Sequence, residues 1–183
     1  MRVLTGRNVN DLYALGRALL DSEGIKSKSR AGDVLVCPWP VVSVYAKPTE
    51  RVLFDSLRDA NPFFHLMEGI WMLSGSDNGN WLNQFVGDFT TRFAEPGGII
   101  HGAYGKRWRA WFPVWGKDET AGSYVDQLTK IVKILRKNPE DRRAVIQMWD
   151  TSVDLGTNFK DVPCNTQIYP RVREGSLDLT IMC

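Results

Sequence analysis

Residues 63–74 constrain the fold most, because Phe63-Phe64-His65-Leu66-Met67 and Ile70-Trp71-Met72-Leu73 flank a single acid, Glu68. Asn61 is a helix cap, and Pro62 suits the first helical position, where its missing N–H would have no partner anyway. Gly75 ends the segment. A helix that is apolar on every side is stable only when covered, so this one is expected to be buried, with the rest of the chain layered around it. An acid in such a helix is expensive to bury without partners; Glu68 either turns to the surface or faces a polar site.

Asn8 or Asn10 caps a first helix in which Leu12, Leu15, Leu19 and Leu20 recur at helical spacing and Gly24 follows as a stop. That helix is expected to cover a sheet. Residues 33–46 read as β, with Pro38 and Pro40 making them an edge or bulged segment, while the polar, basic residues 26–32 read as a solvated loop. A second helix is expected over residues 120–137, with Val125, Leu128, Ile131, Val132 and Leu135 on one face, basic residues in the last turn and Asn138-Pro139 as the stop. A strand over 144–149, a polar loop to Pro163-Cys164, and two strands over 166–173 and 177–183 joined at Glu174-Gly175-Ser176 complete the chain. The fold class is α/β of the α+β type, with residues 1–183 as one domain.

A chain of 183 residues that is 43% hydrophobic supplies one sizeable core. Its formal net charge of +2 offers no broad field to a nucleic acid or an anionic membrane, so an anionic ligand must be gripped locally. The first ten residues lack the apolar centre of a signal peptide, and no run reaches the roughly 20 apolar residues of a membrane span, which points to a soluble, cytoplasmic protein. Cys37, Cys164 and Cys183 are odd in number and far apart, matching neither a disulfide framework nor a metal site. The thiols are expected to be reduced, leaving one free as a nucleophile.

Several segments, in order, resemble thymidylate synthases and the related pyrimidine nucleotide hydroxymethylases. Gly102-Ala103-Tyr104-Gly105-Lys106-Arg107-Trp108-Arg109 is similar to the family's Tyr-Gly and Trp-Arg motif, and Pro163-Cys164 to its nucleophile. Asp141-Arg142-Arg143 precedes an apolar strand ending in Trp149; Glu68-Gly69-Ile70-Trp71 resembles the helix carrying the family's glutamate; and Ser29-Arg30-Ala31-Gly32 falls where a mobile phosphate-binding arginine is kept.

The resemblance implies C5 methylation of a deoxypyrimidine monophosphate, dUMP or dCMP, with 5,10-methylenetetrahydrofolate as donor; hydroxymethylation is the alternative within the family. A pyrimidine is too poor a nucleophile at C5 until a thiolate adds at C6, and Cys164 takes that role. A free cysteine has a pKa of about 8.5, so cationic neighbours are needed to raise its ionised fraction. Arg30, and Arg142 and Arg143 donated across a homodimer, are the implied phosphate ligands, suited to it by the planar guanidinium fork. Glu68 would hold water and move protons around the C4 substituent, and Tyr104 would help remove the C5 proton. Trp81, Phe89 and Phe93 are candidates for an aromatic wall against the folate, and no metal is implied. The implied fold is a large mixed sheet backed by helices, its other face forming a back-to-back dimer.

The sequence also departs from the family. Asn165 stands where histidine usually follows the nucleophile, Phe93 stands where tryptophans usually precede the Tyr-Gly motif, and His65 and His101 match no motif and read as structural. The family's Arg-Ser pair and base-selecting residues would follow Cys183. Three explanations compete: an excised piece, a gene interrupted near that point, or a natural short form that pairs with another polypeptide and keeps a binding or assembly role. In each case a strand without its successor leaves apolar faces uncovered, so marginal stability or dependence on association is expected.

Overall fold

A computed structural model describes residues 1–29, 32–114 and 123–183. Two compact units divide the chain, Met1–Pro62 and Phe63–Cys183.

In the first unit β1 (Arg2–Gly6) pairs in parallel with β4 (Val41–Tyr45), and α1 (Val9–Glu23) packs against them. Asn8 is the cap, its side-chain oxygen accepting from the backbone N–H of Asn10 at 2.9 Å and of Asp11 at 3.3 Å. As expected, the helix covers a sheet: Leu12 and Leu20 with Leu4 and Val41 line an apolar hollow of about 320 Å³. β2 (Ile25–Ser29) and β3 (Gly32–Val36) form an antiparallel hairpin. The loop read over 26–32 is therefore corrected, since residues 26–29 are strand. Lysines and serines alternate there with no apolar face, which hid the period of two. The two prolines fall where β3 and β4 separate.

The second unit begins within α2 (Pro62–Ser74) and continues through a 3-10 turn (Gly79–Gln84), α3 (Phe89–Phe93), α4 (Tyr104–Arg109) and α5 (Gln127–Lys137). β5 (Ile146–Gln147), α6 (Thr151–Asp154), β6 (Gln167–Arg173) and β7 (Ser176–Met182) follow, the strands forming an antiparallel sheet in the order β5-β6-β7. The expected hairpin is present, with Glu174 at φ 49° and Gly175 at φ 75° making the two-residue reversal between Arg173 and Ser176. The helix expected from residue 120 begins instead at Gln127, because Asp126 caps it by accepting from Thr129 N–H at 2.9 Å. Val125 lies outside it, its N–H on the Phe112 carbonyl at 2.8 Å; residues 120–122 lie outside the described residues.

This is an α+β arrangement, and among the described residues its strands make three small sheets instead of one large mixed sheet. Two apolar clusters hold the second unit. Trp71, Leu82, Ala94, Ile100 and Ala103 form one. Ile131 of α5 packs on Ala144, Ile146, Met148 and Ile168 to form the other. α2 is covered on one face only: Trp71 is buried, whereas Phe63, Leu66, Ile70 and Leu73 stand exposed. The expectation of a wholly buried helix is corrected accordingly.

Candidate active site

Ala103 and Tyr104 sit at the seam of the two clusters, Ala103 within the first and Tyr104 packed against the second. Tyr104 opens α4 and does not lie in a free turn. Its flanking glycines permit two close approaches. A Cβ on Gly105 would lie 2.0 Å from the Met72 carbonyl oxygen of α2, and one on Gly102 would lie 2.7 Å from the Val162 carbonyl carbon in the segment leading to Cys164. Tyr104 is thus wedged between the helix that carries Glu68 and the segment that carries the thiol.

Cys164 is exposed and free, at a bend after the buried Pro163. The Pro163 carbonyl accepts from Trp149 Nε1 at 2.8 Å, and Lys160 N–H donates to Glu95 Oε1 at 2.8 Å, so the segment is tied on both sides of Asp161. The Tyr104 phenol lies close enough to the Cys164 thiol for the two groups to interact electrostatically. Burial, then the charge and thiol of Cys164, push the phenol up to about 12, only partly offset by backbone hydrogen bonds from Cys164 and Asn165. Asn165 in turn accepts from Cys183 Sγ at 2.8 Å.

Glu68, Tyr104 and Asp161 supply the polar groups of a cavity of about 280 Å³, whose apolar wall includes Trp71, Phe89 and Phe93. Of the two readings open for Glu68, the structure selects the polar site. Burial pushes its carboxyl up, opposed by His65, whose Nδ1 lies 3.8 Å from Oε2. Phe89 and Phe93 lie along this wall with ring centroids 5.1 Å apart and planes tilted by 50°, whereas Trp81 is not among the lining residues and packs against the first cluster, edge-on to Phe85 at 5.0 Å.

Beneath Tyr104 lies a buried charged cluster. Arg107 donates to both oxygens of Asp154 at 2.8 Å, and His101 Nε2 lies 2.7 Å from Asp154 Oδ1. That short contact to a carboxylate requires Nε2 to carry the proton, so Arg107 Nη2 at 3.1 Å is a neighbour of that nitrogen and not its donor. Phe159 stacks on His101 at 3.7 Å, and the guanidinium lies 3.6 Å over the Trp111 ring. His101 is structural, as expected. Gln127 completes the frame, donating to the Arg107 and Gln147 carbonyls at 2.8 and 2.9 Å.

Arg142 and Arg143 are exposed and line no part of the cavity; Arg143 holds Asp141 far below the usual carboxylate range through a 2.6 Å pair. Arg30 lies outside the described residues. Among the described residues no group of three His, Cys, Asp or Glu is arranged to hold a metal, and no helix is long and apolar enough to cross a membrane.

The family model for thymidylate synthase matches residues 58–183. The chain belongs to the thymidylate synthase family. It is 45% identical over 182 residues to a deoxyuridylate hydroxymethyltransferase of Pseudomonas phage M6, covering 99% of this chain and 48% of that protein. It is 28% identical over 147 residues to a deoxyuridylate hydroxymethyltransferase of Bacillus phage SP01, covering 78% of this chain and 37% of that one. The chain thus spans about half or less of the length of these relatives.

From the sequence, Asp161 and the Arg107, Asp154 and Gln127 frame were not singled out, and His65 was read only as structural. For Asp161 the available signal was its position three residues before the thiol. For His65 it was the i,i+3 spacing to Glu68 on one helix face.

Proposed function

We propose that the chain carries the thiol half of a deoxyuridine monophosphate hydroxymethyltransferase site. The observation that carries the reading is that Tyr104 and Glu68 line one cavity while Gly102 packs against the segment leading to Cys164, whose thiol interacts with the Tyr104 phenol. The Cys164 thiolate would add to C6 of the pyrimidine and activate C5. The phenol keeps its proton at neutral pH, so it would act through its oxygen lone pair, relaying the C5 proton and not abstracting it as a phenolate. Glu68, pushed up by burial, suits proton donation at the C4 oxygen.

Bound 5,10-methylenetetrahydrofolate would supply a one-carbon unit, and the aromatic wall of Phe89 and Phe93 fits a flat heterocyclic donor. Trp81, packed against the first cluster and not part of the cavity lining, is a weaker candidate. Arg30, Arg142 and Arg143 are proposed phosphate ligands. The exposure of Arg143 suits donation to a second copy in a homodimer. Methylation, the reading favoured by the sequence alone, gives way to hydroxymethylation because both relatives named above bear that activity in their names.

Incubation with 5-fluoro-dUMP and methylenetetrahydrofolate should yield a covalent adduct that peptide mass mapping assigns to Cys164. Its absence, or its persistence in Cys164→Ala, would overturn the reading. The cytosine counterpart run in parallel tests base choice.

A further inference from the structure

The cavity contains a second carboxylate to which the roles above give no task. Asp161 lines it together with Glu68 and Tyr104. Asp161 also lies against the entry to α4: a Cβ on Gly102 would come within 2.5 Å of Asp161 Oδ2. The ties at Lys160 and Pro163 hold the segment on either side. A carboxylate held beside Gly102 is thereby set into the cavity wall next to Glu68 and Tyr104.

A hydroxymethyl product needs a water molecule to be kept in that cavity and to lose a proton as it attacks. Aromatic groups do neither. Tyr104 holds its proton, and Glu68 is suited to giving one. We propose that Asp161 is the general base that binds and deprotonates the water whose oxygen becomes the hydroxymethyl group. The inference rests on the hydroxymethyl reading above.

In the step, one water O–H bond breaks and its proton passes to the Asp161 carboxylate. The oxygen lone pair forms a C–O bond to the exocyclic methylene carbon at C5. The methylene π pair moves onto the C4 oxygen, then returns to form C5=C6 as the C6–S bond breaks and its pair leaves on Cys164. Nothing is oxidised or reduced.

By microscopic reversibility the same groups catalyse the reverse step without folate, so the wild-type chain should exchange the hydroxyl oxygen of 5-hydroxymethyl-dUMP with 18O-labelled water. Asp161→Asn should slow that exchange about 100-fold or more while the fluoronucleotide adduct on Cys164 still forms, and Asp161→Glu should restore part of the exchange. Exchange in Asp161→Asn at the wild-type rate overturns the inference. So does loss of both exchange and adduct in that variant, which would make Asp161 a binding or folding residue. A wild-type chain that forms the adduct without exchanging oxygen overturns the inference and leaves the thiol reading intact. A wild-type chain that forms no adduct overturns the thiol reading itself, and this inference with it.

Discussion

Glu68 faces two demands that pull apart. Its carboxyl is raised by burial, so the folded state binds its proton more tightly than the unfolded chain does. Stability therefore falls as pH rises from the ordinary glutamate value of about 4.3 through the raised one, and stays reduced above it. Glu68→Gln should melt a few degrees higher than wild type at neutral pH, with the gain vanishing below about pH 4, while adduct formation slows about 100-fold. Thermal melts across pH check the first part and mass spectrometry the second. Tyr104→Phe should slow tritium release from C5-labelled dUMP by about 100-fold. Cys164, Glu68 and Tyr104 could be named as candidates from the sequence because each sits in a motif whose residue types match a chemical need. Asp161 could not, because a lone acid in a polar loop looks solvated until the fold turns it toward a cavity.

At the scale of elements, the buried Arg107–Asp154 pair joins α4 to α6. Burial alone would raise Asp154, but hydrogen bonds from Arg107 and His101 more than reverse this and hold it below the ordinary aspartate range. A carboxylate depressed in the folded state stabilises above its unfolded value, and that contribution is lost as pH falls through the depressed one. Asp154→Asn should cost about 3–5 kcal/mol by leaving the arginine buried without its counter-charge, and should flatten the acid limb of stability; urea titrations at several pH values test both. None of this was readable beforehand, since the partners are separated by 47 positions and carry no shared pattern. α1 and the β6–β7 hairpin were readable because their caps and reversals are local. The start of α5 was misplaced because apolar periodicity ran on past the Asp126 cap. β2 was missed because neither of its faces is apolar.

For the whole molecule, uncovered apolar surface governs behaviour. Phe63, Leu66, Ile70 and Leu73 of α2 are exposed, as are Leu177, Leu179 and Ile181 of β7, an edge strand. The chain should associate reversibly as its concentration rises, and Leu66→Ser with Leu179→Lys should shift sedimentation toward the monomer. Residues 51–61 carry no helix or strand and place Arg51 and Arg58 in the open, so brief trypsin treatment should cut there first and release a fragment close to Phe63–Cys183. The division into two units was not visible in the composition, which changes little across residue 62.

The Met72 carbonyl occupies the place where a side chain would start at Gly105, so the interval between α2 and α4 is gauged main chain to main chain. Glu68 lies one turn before that carbonyl and Tyr104 one residue before that glycine. Exchanging side chains in the surrounding walls cannot widen or narrow this gap. Changes in the wall side chains would therefore alter what fits the cavity while α2 and the start of α4 keep their spacing.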